Sequence, residues 1–277
     1  MIKIITDSSC DLPQELIDKY NVDILPLRIN LGEKSYADRT DITPEQIFAW
    51  ADEHKDTPKT SVFSIDTAIN WFEKYPEDEL ICFSISTEMS SSLNVMRLAM
   101  LDVEGEDRIH LIDSRNLSAG IGLLVCAAGE MIAQGMPVQD IVDEINALIP
   151  KVRSSFVVDT LTYLHRGGRC SGAAALSGNM LKIHPKIIVR DGKMVVDKKY
   201  RGKMSNILMS YCEDLKPELS NAQNKNVFIV YTGNCDEIAE QLKEKLDMFE
   251  NVYIVRACSV ISSHCGPGTL GIIYIEK

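Results

Sequence analysis

Near its end the chain reads Ser262-Ser263-His264-Cys265-Gly266-Pro267-Gly268-Thr269-Leu270-Gly271, followed by the apolar run Ile272–Ile275. Glycine lets a backbone take positive φ and approach another group closely, while proline fixes its own φ and removes a donor. Such residues around an imidazole, which titrates near neutral pH, either present the ring to a ligand or merely turn the chain between two buried strands. Two hydroxyl-rich segments, Thr60-Ser61-Val62-Phe63-Ser64 and Ser86-Thr87-Glu88-Met89-Ser90-Ser91-Ser92, hold donors suited to a carboxylate or phosphate. The free N–H groups of a helix start would strengthen such a cradle. Ordinary helix capping explains the same residues. Arg166-Gly167-Gly168-Arg169 mounts two guanidinium groups on a bendable turn, fit for bidentate contact with an oxyanion. Lys182–Lys203 carries eight cations against Asp191 and Asp197, a local +6 in a chain of net charge −11. That inversion of sign reads as a docking surface for an anion or acidic partner, with a solvated hairpin as the plainer account. In Tyr36–Thr43, Asp41 or Thr43 caps a following helix, and Asp38 lies outside capping range.

The elements that must position these residues alternate. Ile2–Thr6 predicts a strand ending in the polar Asp7-Ser8-Ser9, and Asp11 an N-cap for a helix opening at Leu12-Pro13. Asp23–Asn30 predicts a strand, and Thr43-Pro44-Glu45 starts a helix over Ile47–His54. Then come a buried strand at Leu80–Ile85, a helix at Leu93–Leu101 and a strand at Arg108–Ile112. Helices at Leu117–Gln134 and Val138–Leu148 follow, separated by Gly135 and Pro137. This pattern is α/β: a mostly parallel sheet flanked by helices, with ligands expected at the carboxyl ends of its strands. The loops Asp7–Ser9, Thr60–Ser64 and Ser86–Ser92 are therefore candidate binding loops. Beyond about Lys151 the expected order is strand Ser155–Val158, short helix Asp159–Leu164 and helix Ala173–Leu181. A hairpin turning at Asp191-Gly192 comes next, then helix Ser205–Leu215, strand Val227–Tyr231, helix Glu237–Leu246 and strands Val252–Val255 and Gly271–Ile275. Two domains are expected, 1–152 and 153–277, the second with a mixed sheet.

The 277 residues are 45% hydrophobic and 25% charged, as in soluble globular proteins. The acidic balance argues against a nucleic-acid binder. No run approaches the roughly 20 apolar residues of a membrane span, and the N-terminus lacks a signal-peptide layout, so a cytoplasmic protein without stable membrane insertion is expected. The eight cysteines form no C-x-x-C pair or zinc-like cluster and read as reduced thiols. No metal or cofactor is expected. Phosphate-loop, dinucleotide, zinc-protease and nucleophile-elbow motifs are all missing from the sequence.

Several segments together resemble the DegV family of fatty-acid-binding proteins that serve bacterial fatty acid kinases. They are Ile5-Thr6-Asp7-Ser8, the acidic Tyr36–Ile42 segment, Thr60-Ser61, Arg166-Gly167-Gly168-Arg169, the Asp191-Gly192 hairpin, Arg201-Gly202 and His264-x-Gly266-Pro267-Gly268. They occur in the family's order over essentially the whole chain. The resemblance implies a two-domain α/β protein, itself not an enzyme, that buries one long-chain fatty acid with its carboxyl at the domain junction. It implies carboxylate contacts from Thr60 or Ser61, from Ser90 or Ser92, and from His264 with Gly266. Asp38, Arg169 and Arg201 would lie near the carboxyl or on the surface meeting the kinase, a separate protein that would form an acyl-phosphate for phospholipid synthesis. The chain departs from the family at Thr60–Ser64, where Thr-Ser-Gln-Pro-Ser is usual, and at Ser90–Leu93, where Ser-Gly-Thr-Tyr is usual. Ser91 in place of glycine bears on backbone approach to the carboxyl, and Phe63 on the tunnel mouth. The competing readings are a Ser/His acyl hydrolase or transferase, with Ser90 or Ser92 as nucleophile and His264 as base, and a module for another small anion.

Overall fold

Strand β1 (Ile2–Asp7) is buried along nearly its whole length, as a central parallel strand covered on both faces must be. It pairs in parallel with β2 (Val22–Leu25) and β6 (Glu79–Ser84), and β6 pairs with β7 (Ile109–Asp113), giving the order β2-β1-β6-β7. The computed structural model describes residues 1–171 and 183–277; the expected helix Ala173–Leu181 and Lys182 lie outside them. The expected single strand Asp23–Asn30 is in fact two. Pro26 cannot donate to a ladder, and the chain leaves the first sheet there. Beyond it β3 (Arg28–Leu31), β4 (Lys34–Ala37) and β5 (Lys59–Ser61) form a small antiparallel sheet in the order β4-β3-β5.

Helices α1 (Gln14–Lys19), α2 (Pro44–His54), α3 (Ile65–Glu73), α4 (Ser92–Asp102), α5 (Ala119–Ala133) and α6 (Val138–Leu148) accompany these strands. Thr43 starts α2 through a reciprocal capping box with Gln46, while Asp41 instead accepts from the Ala37 N–H. The second sheet is mixed. It runs β13 (Asn251–Arg256), β12 (Ala222–Tyr231), β14 (Leu270–Glu276), β8 (Val152–Val157), β10 (Ile183–Arg190), β11 (Lys193–Arg201) and β9 (Cys170–Ser171). Asp191 and Gly192 both have positive φ, 52° and 79°, as a two-residue hairpin turn requires. Around this sheet lie α7 (Thr162–Gly167), α8 (Met204–Leu219) and α9 (Asp236–Lys243). Helix α5 is apolar on all faces and touches strands of both large sheets, which gives the two halves a common core.

Where a turn was expected near His264 there is a helix, α10 (Ser259–Cys265). Two buried aspartates hold its start. Asp11 accepts the Cys258 N–H at 2.8 Å and Asp38 accepts the Ser259 N–H at 3.0 Å, so both carboxylates meet the positive end of the helix. Their other oxygens accept hydroxyls from Ser118 at 2.5 Å and Ser8 at 2.7 Å. The Arg39 guanidinium lies 3.8 Å from Asp11 and donates to the Ser8 and Cys10 carbonyls. Asp11 is thus no cap for α1, which begins after Pro13; its carboxyl is committed to a residue 247 positions away. Asp7 is also fully buried, accepts from the Ser9 and Ile85 N–H groups, and ties the ends of β1 and β6 together rather than forming a binding loop.

Burial pushes the Asp11 carboxyl up to about 6, against the opposing pull of Arg39, Ser118 and Cys258. An acid whose folded pKa lies above its unfolded value contributes stability below that unfolded value, and loses it as pH rises through the folded one. The stability gap between the native chain and Asp11→Asn is therefore expected to shrink as pH rises from about 4 to about 6 in urea unfolding; a gap that widens contradicts this. Asp11→Ala, which leaves the Cys258 N–H and Ser118 hydroxyl without their acceptor, is expected to cost about 2 kcal/mol or more in the same measurement.

Candidate functional site

Helix α10 turns the side chains of Val260, Ile261, His264 and Cys265 to one side, the spacing of a single helical face. They form one wall of a cavity of about 260 Å³. The opposite apolar wall comes from Leu27, Val62, Ile85, Met89 and Leu117, with Met194 from the hairpin. Thr60, Ser90, Ser91, Arg169 and His264 supply the polar lining, together with Ser61. A smaller apolar void of about 30 Å³ shares Leu117, Ile261 and Cys265 with this cavity and reaches Phe156, Val230 and Ile273 of the second sheet. The cavity therefore has a polar patch drawn from both halves, and the apolar void borders it through the three shared residues.

His264 Nε2 lies 2.8 Å from Thr60 Oγ1, while its Nδ1 is buried without a partner. A bare buried lone pair is less costly than an orphaned buried N–H, which favours the tautomer with the proton on Nε2. In that tautomer the ring donates to Thr60, and the threonine hydroxyl keeps its own proton to donate into the cavity. Burial, followed by the Arg169 charge, pushes His264 down to about 4, so the ring is neutral near pH 7. The ring rests against Gly167 at the end of α7, where an added Cβ would come within 2.5 Å of Nδ1. Thr60 is aimed by β5, which pairs with β3 at Ile29; Ser61, the next residue, also borders the cavity, and its hydroxyl accepts from Asn30 at 3.1 Å.

The hydroxyls of Ser90 and Ser92 lie 2.8 Å apart, at the start of α4. Ser92 is fully buried and off the cavity wall; Ser91 takes the place expected for it. Ser91 has a φ of −87°, an ordinary value that makes no demand for glycine. Arg169 is held on the wall by donating to the Gly167 carbonyl at 2.6 Å, with its Nε 3.4 Å from the Met89 carbonyl.

The remaining expected site residues are elsewhere. Asp38 is fully buried in the start of α10, so its carboxyl is unavailable to a partner surface. Gly266 is off the wall: it ends α10 with a φ of +74°, and a Cβ there would meet the Tyr163 ring at 2.5 Å. Arg201 is exposed at the end of β11, away from the cavity lining. Phe63 is a core residue and does not shape the cavity mouth, where Val62 stands instead. The excess positive charge of the hairpin is partly met by other elements, Lys193 by Glu88 at 3.2 Å and Lys198 by Asp214 at 2.6 Å. The sequence reading took Gly167 only as part of a bendable turn, and missed Leu117 and the cavity face of α10. An available signal for the last was Val260, Ile261, His264 and Cys265 at helical spacing, followed by Gly266 and Pro267 as a stop.

Among the described residues the imidazole is engaged by Thr60, and Ser90 and Ser92 bond to each other, so no Ser–His hydrogen bond forms. No helix among the described residues is long and apolar enough to cross a membrane.

The architecture has counterparts. The DegV family model matches residues 1–277. A DegV domain-containing protein of Clostridium acetobutylicum is 34% identical, with 100% of this chain and 99% of that protein aligned. A fatty-acid-binding DegV family protein of Thermus thermophilus superimposes with a TM-score of 0.91 at 27% identity, covering 100% of this chain and 99% of that one. A stearic acid-binding protein of Eubacterium ventriosum gives 0.88 at 28% identity, again over 100% and 99% of the two chains. With a match over its full length and relatives aligned end to end, the chain belongs to the DegV family.

Proposed function

We infer that this protein binds one long-chain fatty acid, with the carboxyl group at Thr60, Ser90 and His264 and the acyl chain in the adjoining apolar space. The observation that carries this reading is the cavity itself: a small polar patch of neutral donors and a guanidinium beside walls of Leu, Ile, Val and Met side chains. Fatty acid binding by the Thermus and Eubacterium proteins supports the ligand class. Affinity arises from burying methylene groups, each contributing about 0.8 kcal/mol, and the polar end sets orientation. Arg169 adds a charge-assisted contact at the cavity wall.

The carboxyl presented in this way is the substrate of a separate ATP-dependent fatty acid kinase, whose acyl-phosphate product feeds phospholipid synthesis. The family resemblance supports this step, as does the exposure of Arg169 and Arg201 to an approaching partner. The protein is then a cytoplasmic lipid-binding subunit rather than an enzyme. The hydrolase reading loses its support with the absence of a Ser–His hydrogen bond among the described residues.

Mass spectrometry of an organic-solvent extract is the direct test. A stoichiometric fatty acid is expected from protein purified without added lipid; an empty protein that also fails to take up labelled palmitate or oleate overturns the reading. Thr60→Val keeps the volume of the side chain and removes its hydroxyl, so fatty acid affinity is expected to fall about tenfold in equilibrium binding, while an unchanged affinity places the carboxyl elsewhere. In ligand-free protein, NMR of the His264 ring should show the neutral form down to about pH 4; half-protonation at the ordinary histidine value contradicts its burial. In a kinase assay, Arg201→Ala should reduce acyl-phosphate formation at unchanged fatty acid content, and wild-type kinetics in that variant argue against this docking surface.

A further inference from the structure

A second cavity, about 510 Å³ and larger than the one at His264, opens where β8 and β10 separate. The strands pair at Ser155–Val157 with Lys186–Ile188, although β8 begins earlier at Val152 and β10 continues to Arg190. Continued in register, the next rungs would join Ser154 to Val189 and Arg153 to Arg190, and neither forms. The main-chain edges of both strands border the resulting fork, which is an unusual arrangement for strands in the middle of a sheet.

Three arginines from different elements line this fork: Arg115 after β7, Arg153 on β8 and Arg190 at the end of β10. Arg115 donates to the Asp191 carbonyl at 2.5 Å and packs on Gly192, and Arg153 is bonded to Glu276. The Arg190 side chain is exposed and has no hydrogen bond or ion pair among the described residues. Asn116, only 3% exposed, uses its Oδ1 to accept from Ser154 at 2.6 Å, and its amide nitrogen has no protein partner among the described residues. Glu218, an acid on the wall, already takes the Tyr274 hydroxyl at 3.3 Å and lies 3.7 Å from Lys186. Asp191, also on the wall, has no side-chain partner among the described residues, so the lining carries three guanidinium groups against the two carboxylates of Glu218 and Asp191.

We propose that the fork between β8 and β10 is a binding site for a small metabolite bearing phosphate or carboxylate groups. Planar guanidinium groups grip oxyanions through paired N–H donors, and the Asn116 amide adds a neutral donor at the floor. The volume is that of an ordinary small-molecule site. Nothing in this assignment depends on what fills the cavity at His264.

Isothermal titration calorimetry with inorganic pyrophosphate and with citrate, at fixed ionic strength, tests it. One of the two probes is expected to bind saturably at one site per chain, and Arg190→Gln to weaken that binding about tenfold while Arg201→Gln leaves it unchanged. Saturation by pyrophosphate alone assigns phosphate recognition, and by citrate alone polycarboxylate recognition. Hydrogen exchange should show the probe protecting residues 149–155 and 188–192. Absence of saturable binding by either probe, equal binding in Arg190→Gln, or protection at the His264 cavity instead overturns the proposal.

Discussion

Two aspartate carboxylates buried at the start of α10 hold the cavity in register. Taking a carboxylate out of water is expensive, and this protein does it at Asp11 and Asp38 side by side. The expense is offset by the N–H groups of Cys258 and Ser259, by the hydroxyls of Ser118 and Ser8, and by the nearby Arg39 guanidinium. The Cys258 and Ser259 N–H donors come from the second half of the chain and the carboxylates that accept them from the first. The network thus fixes the helix bearing Val260, Ile261, His264 and Cys265 relative to the loops that carry the other wall.

With the helix fixed, the rest of the site is a matter of side chains with few alternatives. His264 cannot swing away, because Gly167 closes on one edge and Thr60 holds the other. A neutral imidazole backing a hydroxyl gives a donor whose direction is set without placing a full charge in an apolar space. Arg169, tied to the carbonyls of Gly167 and Met89, puts a cation at the wall of the cavity. The cavity thus sets a small oriented polar patch beside apolar walls.

Much of this framework was legible in the sequence because it depends on local rules. Thr43 followed by Pro44 and Gln46 specifies a helix start, and Asp191-Gly192 specifies a hairpin turn, whatever the rest of the chain does. Residues whose role is set by distant partners were not legible. Asp11 lies just before a proline and a helix and resembles a cap, but the donor that claims it is 247 residues away. Asp38 has the form of an exposed acid beside a turn and is fully enclosed instead. Ser262 and Ser263 have modest helix propensity, so α10 exists through its capped start and its buried face rather than through local preference. Pro26 was a local signal of the break between β2 and β3, and the alternating apolar residues around it concealed the change of sheet.

The Thr60–His264 hydrogen bond joins residues 204 positions apart. A contact of this range forms only when the small antiparallel sheet and the last helix have both reached their final places, so the cavity is among the last features of the fold to exist. Anything that occupies it binds the finished structure and not its precursors, and by mass action withdraws the chain from its partly folded states. Occupancy and folding are thereby linked quantities, and the protein's resistance to unfolding becomes a measure of how full its cavity is.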